Sequence, residues 1–492
     1  MRTTAPLWDE GAVDIPTDAF LPGAHYDDVI VGAGLTGMVT AVLLARRGRS
    51  VAVLEARRVG AAASGHTTAK LTRLQGTRLT KIRSVATRSV TQAYADAQTA
   101  GFLWLGEHLD ERGVPFERRD AITFAETPEG ERKVEREYRL ARDAGIPVEH
   151  ETRTDLPFET YGAIVLRDQV QFDPRAVLAS LVSELRQLGG RVITGARVQR
   201  VRASSPVVVG STLGEVTADD VVVATGIPML DRGLYFAKVE PYRSYALAYQ
   251  LADQADGAMY LNVEQPTRSI RWHGGHLLVG GNGHAVGRAD SPAAQLDDLD
   301  EWTLQRWPGA RRTHAWAAQD YAAGMHVPFV GRLPRGRGRV YLATGYEKWG
   351  MTNAVAAALT LESDILGDPK ESWMRTLRRR PTLPQALARS IGANAAVGWW
   401  YLRSYAETLS HPLPEAAPAE GEAVSGRRGI EPVGVATVDG QQHAVSLVCP
   451  HLGACLRWND AEVSWDCPAH GSRFDATGAL LEGPAKRPLA AR

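Results

Sequence analysis

Four side chains near the C-terminus have the types and the spacing of a metal centre. Cys449-Pro450-His451 is followed by Cys467-Pro468-Ala469-His470, so each half supplies one cysteine and one histidine. These ligand types suit structural zinc. They also suit a [2Fe–2S] cluster in which two thiolates hold one iron and two imidazoles hold the other. The even division of both types between two segments favours the cluster, with Cys449, His451, Cys467 and His470 as ligands.

The residues around these ligands, from about 434 to 488, resemble Rieske domains. The resemblance rests on the ligand pattern and on Trp458-Asn459, Phe474-Asp475 and Gly483-Pro484. It implies a small all-β domain that transfers single electrons through a [2Fe–2S] cluster. Elements with many turns must therefore bring two ligand loops together, and Pro450, Gly453, Pro468 and Gly471 are suited to such turns.

Two departures from that family carry physical consequences. Many high-potential Rieske proteins link the cluster loops by a disulfide, but Ala454 and Ala469 occupy those positions here, and Cys455 is left unpaired. Loss of the disulfide suits a reducing cytoplasm. Ser472 can donate a hydrogen bond to a cluster sulfur, whereas Phe474 replaces a tyrosine whose hydroxyl would donate another. Because fewer hydrogen bonds to sulfur lower the potential, we expect a value below that of respiratory-chain Rieske centres.

A glycine fingerprint near the N-terminus indicates a dinucleotide site. The apolar run 27–31 leads into Gly32-Ala33-Gly34-Leu35-Thr36-Gly37, and a helical stretch continues to Arg47. Such glycines allow a tight turn, a close approach to pyrophosphate and close packing of helix on strand, with the phosphate on the helix N-terminus. A second strand, 50–54, ends at Glu55, where a carboxylate would bind the ribose hydroxyls.

Later segments extend this site and favour FAD over NAD. The small-residue stretch 60–70 suits a course beneath a cofactor, and strands near 190–198, 220–225 and 340–344 each end in a turn. A helix after Trp349 is expected to aim its positive N-terminus at the flavin ring. The predicted cofactor-binding residues are Gly32, Gly34, Leu35, Thr36, Gly37, Glu55, Ala56, Ser64, Thr67, Thr68, Ala69, Val198, Thr225, Gly226, Gly345, Trp349, Gly350, Met351 and Thr352.

The order of these motifs from Val29 to about Leu366 resembles the D-amino-acid oxidase and glycine oxidase type of FAD-dependent oxidoreductase. The resemblance implies oxidation of an amine or amino acid by hydride transfer to flavin. It also implies that Arg332, in the segment 327–334, holds a substrate carboxylate, although a surface arginine is an equally good interpretation. The acid usually found before this segment is replaced by Met325-His326. Lys348 and Tyr245 are the other catalytic candidates.

The organisation follows from length and composition. The 492 residues suffice for several cores, and 56 basic against 56 acidic residues give no bulk charge to attract nucleic acid or an anionic membrane. We expect an α/β fold: a Rossmann-like FAD-binding domain with an interleaved mixed-sheet substrate domain, followed by the all-β Rieske domain. The expected boundaries are a flavoprotein at 1–410 (FAD-binding parts 26–82, 150–233 and 325–370; cap parts 83–149 and 234–324), a linker at 411–423 and the Rieske domain at 424–492.

The functional hypothesis combines both sites. FAD takes two electrons from a C–N bond of an amine or amino acid, and the cluster passes them on singly to a redox protein or oxygen. The alternative is a flavin reductase, monooxygenase or electron-transfer flavoprotein in which the cluster feeds the flavin. With no signal peptide and no apolar stretch of the ~20 residues that span a bilayer, we expect a cytoplasmic protein. Core packing is favoured over a partner surface for residues 391–405.

Overall fold

The fold is described by a computed structural model over residues 2–12, 14–251, 257–381 and 383–492. Across these residues the strands are β1 (His25–Val31), β2 (Val51–Leu54), β3 (Lys70–Leu71), β4 (Phe116–Phe124), β5 (Glu149–Glu151), β6 (Ala163–Phe172), β7 (Arg191–Ile193), β8 (Val198–Arg202), β9 (Val207–Ser211), β10 (Gly214–Val223), β11 (Val239–Gln250), β12 (Met259–Asn262), β13 (Arg268–His273), β14 (His276–Ala285), β15 (Arg311–Ala323), β16 (Phe329–Arg332), β17 (Val340–Thr344), β18 (Ala423–Arg428), β19 (Glu431–Val438), β20 (Gln441–Ser446), β21 (Arg457–Asn459), β22 (Ser464–Asp466), β23 (Arg473–Asp475) and β24 (Leu480–Glu482). The helices are α1 (Leu35–Arg46), α2 (Arg78–Val85), α3 (Arg88–Glu111), α4 (Pro128–Asp143), α5 (Pro174–Gln187), α6 (Pro292–Arg306), α7 (Gly350–Leu366), α8 (Ser372–Arg378) and α9 (Pro384–Leu409).

The first sheet brings the predicted cofactor motifs to one edge. Its order is β16-β17-β10-β1-β2-β7, with β9 and β8 continuing from β10. The strands β17, β10, β1, β2 and β7 run parallel to one another. Their carboxyl ends therefore meet, and the turns after β1, β2, β10 and β17 lie side by side. The apolar sides of α1, α5 and α7 pack into the core beside this sheet.

The second sheet forms the interleaved cap. Its order is β15-β11-β14-β13-β12-β4-β6-β3, and β5 pairs with β6. It is mixed, because β12 runs parallel to β4 while β11 runs antiparallel to both β14 and β15. This confirms the mixed sheet expected from the sequence. The division of the chain differs from the expected one at two strands: β3 and β6 fall in stretches assigned to FAD binding, yet β6 pairs with β4, β3 pairs with β6, and both belong to the cap.

The segment 83–108 contains parts of two helices. Its N-terminal part belongs to α2, and α3 begins after Thr87. The Thr87 hydroxyl accepts a hydrogen bond from the amide of Val90 at 3.4 Å, which caps the new helix. Helix α4 is capped in the same way, because the hydroxyl of its N-cap Thr127 accepts a hydrogen bond from the Gly130 amide at 3.1 Å.

The C-terminal module is built from two small antiparallel sheets, β18-β19-β20 and β21-β22-β23-β24. This confirms the small all-β domain. Residues 411–422 lie along its first sheet: the Leu413 amide donates to the Arg427 carbonyl at 3.0 Å, and the Gly421 amide donates to the Thr437 carbonyl at 2.7 Å. The stretch interpreted as a linker is thus hydrogen-bonded to the module over much of its length.

Helix α9 precedes that stretch and packs on the module with one side only. Tyr401 and Tyr405 contact the module's core, and the Tyr405 hydroxyl donates to the Gly453 carbonyl at 2.6 Å. In contrast, Ile391, Trp399 and Leu402 are exposed. Core packing was therefore the wrong interpretation for these three side chains, because the opposite side of the helix is the one that faces the protein.

The N-terminal segment connects both ends of the chain. The Thr3 amide donates to the Ala461 carbonyl at 2.8 Å, which ties the segment to the C-terminal module. Five residues further on, the Trp8 indole donates to the Thr67 carbonyl at 2.8 Å. A second indole, that of Trp316, holds the adjacent His66 carbonyl at 2.8 Å. The loop 60–70 is therefore fixed from the cap side.

Candidate active site and metal centre

One cavity of about 760 Å³ lies between the edge of the first sheet and the cap. Most of the predicted cofactor-binding residues line it: Gly32, Gly34, Leu35, Thr36, Glu55, Ala56, Ser64, Thr67, Thr68, Val198, Thr225, Gly226, Gly345, Trp349, Gly350 and Met351. The motifs, which are spread over more than 300 residues of sequence, meet because the parallel strands end at the same edge.

The glycine turn fits a dinucleotide closely. Gly32 has φ of +106°, and a Cβ there would lie 2.6 Å from the Ala224 carbonyl oxygen, so only glycine fits. Helix α1 begins after Gly34, which offers no side-chain cap. The amide of Leu35 donates to the Ser64 hydroxyl at 2.9 Å, which brings the loop 60–70 against the helix N-terminus. An anion placed beside this end would meet the positive end of the helix dipole.

The acid at the end of β2 is held by the backbone. One Glu55 carboxylate oxygen accepts from the Ala33 amide at 2.9 Å, and the other accepts from the Arg57 amide at 2.8 Å. The carboxylate bridges the glycine turn and the next strand end, and it lines the cavity. It is thus oriented before any ligand arrives, as a ribose-binding acid must be.

Helix α7 opens into the same cavity. Its N-cap, Trp349, makes no side-chain cap, and Trp349, Gly350 and Met351 all line the cavity. Backbone N–H groups of the first turn are therefore available to a group bound there. This places the helix N-terminus at the cavity, as the sequence indicated.

Three predicted cofactor-binding residues do not line the cavity. Gly37 packs closely on Gly32, so its role is helix-on-strand packing. Ala69 is fully buried and gives its carbonyl to Arg271 at 2.8 Å. Thr352 donates to Gln98 and accepts from Gln75 at 3.0 Å, within a buried polar network behind α7.

Arg332 is not in the cavity either. It is exposed at the end of β16, opposite Tyr341 on β17, on the first sheet rather than under the cap. Burial raises the pKa of both Tyr341 and Asp220, and the positive charge of Arg332 offsets only part of that rise. The family pattern supplied a matching position, but here the side chain leaves the strand away from the cavity. The surface interpretation is the one that the structure supports.

Lys348 and Tyr245 do line the cavity. The backbone of Lys348 is left-handed with φ of +71°. A Cβ on Gly283 would lie 2.6 Å from the Lys348 ammonium nitrogen and 2.7 Å from the Ser244 hydroxyl, so the missing side chain makes room for the ammonium group. The Tyr245 hydroxyl lies 3.0 Å from Nε2 of His284.

Asp320 is a cavity residue that sequence analysis missed. It lines the cavity beside Lys348, and its Oδ2 atom is buried without a hydrogen-bond partner. Burial raises the pKa of Asp320 to about 6, even though the Lys348 ammonium acts to lower it. A buried carboxylate oxygen without a hydrogen-bond partner is costly and is typical of a ligand-binding position. Its place near the C-terminal end of β15 gave no local signal.

A buried charged group beside it was also missed. Arg78 donates to Glu347 at 2.6 Å and to the Tyr346 carbonyl at 3.0 Å, and the other side of the Glu347 carboxylate meets His326 at 2.7 Å. Burial opposes ionisation of Glu347, but Arg78 and His326 overcome it and hold its pKa well below the usual range. His326 stands where the family pattern has an acid, so the departure noted in the sequence marks a real rearrangement.

The four proposed metal ligands converge as two pairs. The Cys449 thiol hydrogen-bonds to Cys467, which raises the pKa of Cys449 and lowers that of Cys467. The ring centroids of His451 and His470 are 5.1 Å apart. Among the described residues, no group of three or more His, Cys, Asp or Glu side chains is arranged around a single metal ion.

The donor set fits a two-iron cluster. The amides of Ala469 and His470 hydrogen-bond to the sulfur of Cys467, which stabilises a thiolate there. Burial lowers the pKa of His470 to about 4, so its imidazole is neutral, as a metal ligand must be. The Nδ1 atom of His451 is buried without a hydrogen-bond partner, which leaves it available for a metal.

The surroundings of the ligands agree with the sequence. The three cysteines are free and buried, and Cys455 contacts the hydroxyl of Thr408 on α9 at 3.4 Å. Ser472 hydrogen-bonds to the sulfur of Cys449, whereas Phe474 is fully buried and has no hydroxyl to donate.

The two histidines face the flavoprotein. The ring of Phe236 lies edge-on to both, with centroids 5.0 Å from His451 and 4.8 Å from His470, and Phe236 also lines the cavity. The Nε2 atom of His451 is 3.3 Å from a carboxylate oxygen of Asp231. Residues 469, 481–483 and 485–486 of the module line the same cavity. One aromatic ring, that of Phe236, thus contacts both histidine ligands and also lines the cofactor cavity.

A buried charged network fixes this interface. Arg243 on β11 donates to Glu462 at 2.6 Å and to Glu482 at 3.0 Å, and both acids belong to the module. Arg473 meets Glu482 at 3.1 Å and Asp466 at 3.0 Å. A further bond joins the Gln319 amide to the Gly471 carbonyl at 2.9 Å, next to the ligand His470.

The comparisons agree with this architecture. Residues 27–362 match the family of FAD dependent oxidoreductases (DAO), and residues 413–491 match the Rieske [2Fe-2S] domain. The chain therefore belongs to the DAO family of FAD-dependent oxidoreductases and carries a C-terminal Rieske domain. FAD and a [2Fe–2S] cluster are its cofactors.

Known proteins share this organisation or parts of it. The chain is 28% identical, over 97% of its length and 96% of the relative's, to the "Putative Rieske 2Fe-2S iron-sulfur protein YhfW" of Bacillus subtilis. Glycine oxidase from Geobacillus kaustophilus superposes with a TM-score of 0.61 at 19% identity, covering 70% of this chain and 96% of that one. L-Proline dehydrogenase from P.horikoshii gives 0.60 at 17% identity, covering 72% and 96%. At these identities the structural likeness shows the fold.

In the part of the chain that the structure describes, every helix is too short or too polar to cross a bilayer.

Proposed function

We propose that this chain oxidises a C–N bond of an amine or amino acid, and that the electrons leave through the Rieske cluster. When bound, FAD supplies the two-electron chemistry by accepting a hydride, and the cluster carries electrons one at a time. The observation that carries the proposal is the shared cavity: the dinucleotide motifs and the Rieske module line one space, and Phe236 both lines that space and contacts the two cluster histidines.

Two charged groups in the cavity suit the two ends of an amino acid. Lys348 presents an ammonium group beside Gly283, where it can pair with a substrate carboxylate. Asp320 presents an unpartnered carboxylate oxygen, which can accept a hydrogen bond from the substrate amine. Lys348 thus takes the anchoring role that the family pattern assigned to Arg332. The relatives named for glycine and L-proline as substrates support this class of small amino acid.

The surrounding residues keep these groups in place. Glu347 precedes Lys348 and is held by Arg78 and His326, so the left-handed turn at 347–348 is fixed from behind. Positions held in such sparsely populated backbone conformations persist only when their surroundings determine them, as at many active sites. The turn therefore directs Lys348 into the cavity.

The experiment is anaerobic mixing of the FAD- and cluster-loaded protein with glycine, L-proline, other amino acids and simple amines. Bleaching of the flavin absorption with a carboxylate-bearing amine, followed by reduction of the cluster, is the expected result. Reduction of the cluster first by an external donor, with the flavin following and no amine bleaching it, would instead support the reverse direction of electron flow and refute the proposal.

Lys348→Met is the matching variant, with Lys238→Met as its control because Lys238 also lines the cavity but lies over the ring of Tyr235, at 4.7 Å. We expect K348M to weaken binding of an amino acid far more than binding of the corresponding decarboxylated amine. K238M should change both alike.

A further inference from the structure

One loop of the flavoprotein touches both the cofactor cavity and the Rieske module. This is the β10–β11 loop, residues 224–238, whose two ends, 224–227 and 236–238, line the cavity. Phe236, which lies edge-on to both cluster histidines, belongs to this loop. Between the two ends, Asp231 reaches the module, where its Oδ1 atom lies 3.3 Å from Nε2 of His451. The loop therefore connects the two sites directly.

The position of Asp231 is fixed from both sides of the interface. In the flavoprotein, the guanidinium of the next residue, Arg232, donates to the Val201 carbonyl at 3.1 Å and to the Arg335 carbonyl at 3.3 Å. In the module, the Lys486 ammonium is 3.6 Å from the second carboxylate oxygen of Asp231. The carboxylate is thus directed at the histidine by contacts that do not involve the histidine itself.

The two ring nitrogens of His451 have different surroundings. Nδ1 is buried without a hydrogen-bond partner and is the atom available to iron. Nε2 then carries the proton of the neutral imidazole, and Asp231 is placed to accept a hydrogen bond from it. A carboxylate on the outer N–H of a metal-bound histidine makes that histidine a more basic ligand. A more basic ligand stabilises the oxidised, more positive cluster and so lowers its reduction potential.

We propose that Asp231 is a positioning residue of the flavoprotein for the Rieske cluster: it holds Nε2 of His451 and lowers the reduction potential of the cluster. On reduction one electron enters the cluster, and no proton passes to Asp231. Because Asp231 belongs to the flavoprotein, the cluster has this lower potential only while the module is docked. The proposal rests on His451 as a cluster ligand and not on the proposed amine oxidation.

The same contact responds to the electron. Two linked equilibria change by the same factor, so a carboxylate that makes the cluster harder to reduce is held less tightly by the reduced cluster. The β10–β11 loop should therefore hold the module more tightly when the cluster is oxidised. The Asp231 side chain is 55% exposed, and water weakens its hydrogen bond, so we expect a factor of about three to ten.

The test is a potentiometric titration of the fully loaded protein, in which the electron paramagnetic resonance signal of the reduced cluster is measured. At a fixed applied potential, Asp231→Asn should raise the ratio of reduced to oxidised cluster about three- to tenfold, which corresponds to a midpoint about 30–60 mV higher. Asp231→Glu keeps the carboxylate and should stay closer to the parent. Asp219→Asn is the matched control and should change nothing, because Asp219 is a similarly half-exposed acid beside a histidine, His25, that starts β1.

Hydrogen exchange supplies a second readout. Amides of the β10–β11 loop should exchange about three- to tenfold faster in the reduced than in the oxidised protein, because the contact with His451 is weaker there. This difference between the two oxidation states should disappear in D231N and persist in D219N. Retained FAD and cluster absorption reports that each variant is folded.

A midpoint in D231N that equals that of the parent protein, or lies below it, would overturn the proposal. An equal rise in D231N and D231E would also overturn it, because the carboxylate would then not be the cause. Loop exchange that is the same in both oxidation states of the parent would refute the linkage. All these readings are taken without substrate, so none of the outcomes depends on the proposed amine oxidation.

Discussion

Replacing Arg243 with methionine should loosen the Rieske module from the flavoprotein. The arginine is almost fully buried, and it is the flavoprotein's contribution to a network whose other members, Glu462, Glu482, Arg473 and Asp466, lie in the module. Methionine keeps much of the side-chain volume but leaves two buried carboxylates with a single arginine between them. Removing one partner of a buried ion pair costs about 3–5 kcal/mol.

The pKa of Glu462 gives a second measure of the same interaction. Burial acts to raise it, but Arg243 and Arg473 outweigh burial and lower it from 4.5 to about 2. A shift of that size corresponds to about 3 kcal/mol. Since the folded-state pKa is the lower one, this contribution is present above about pH 4.5 and is lost as the pH falls towards 2.

Hydrogen exchange of the loaded protein near neutral pH is the appropriate measurement, because it reports local opening without global unfolding. Amides of residues 464–473, which lie in the interface, should exchange about 150- to 5,000-fold faster in R243M, as a cost of about 3–5 kcal/mol implies. Arg200→Met is the matched control. Arg200 pairs with Glu215 on an exposed surface, where such a pair is worth less than about 1 kcal/mol.

Two results would refute this reasoning. Acceleration below about tenfold in R243M would mean that the network does not hold the interface. Equal acceleration in R200M would mean that the effect is not specific to buried charge. Adding Glu462→Gln to R243M removes one of the uncompensated charges, and it should restore part of the protection.

The remaining predictions concern the two sites. Cys467→Ser should abolish the cluster absorption and leave FAD bound; if both chromophores are lost together, the two sites are not independent. Phe236→Ala should slow electron transfer from flavin to cluster in stopped-flow measurements by at least about tenfold with the flavin potential unchanged, and an unchanged rate would exclude this ring from the route. In the parent enzyme, kcat/KM should fall as the pH drops through about 6, because the buried Asp320 carboxylate becomes protonated there. Asp320→Asn should abolish this pH dependence. If the decrease in kcat/KM at low pH persists in D320N, another group is responsible for it.

Sequence could predict those parts of the two sites that are formed by the backbone and side chains of one short segment. The glycine turn after β1 and Glu55 after β2 follow strand and helix patterns, and they lie where those patterns put them. The two ligand loops of the Rieske module are likewise local motifs of a few residues. Short-range spacing is sufficient in both cases because neighbouring residues build the site.

The parts that sequence could not predict depend on contacts between distant elements. Asp320 lies near the C-terminal end of β15, and only the pairing of β15 with β11 and the approach of Lys348 make it a cavity residue. In the sequence, Arg243 looks like an ordinary strand arginine. Its partners Glu462 and Glu482 belong to the module and are about 220 and 240 residues away along the chain. For Arg332 the sequence predicted a contact that the structure lacks. Its position matches the family's substrate-binding arginine, but its side chain lies outside the cavity.

The hydrogen bond between Thr3 and Ala461 has a consequence for biosynthesis. These residues are separated by 458 positions, so the contact forms only after nearly all the intervening chain has left the ribosome. The same N-terminal segment holds the Thr67 carbonyl through Trp8. Until the Rieske module is made, the loop that closes over the dinucleotide lacks part of its support. We therefore expect nascent chains halted before the module to retain FAD poorly, so that loading of the flavin is coupled to completion of the iron–sulfur half.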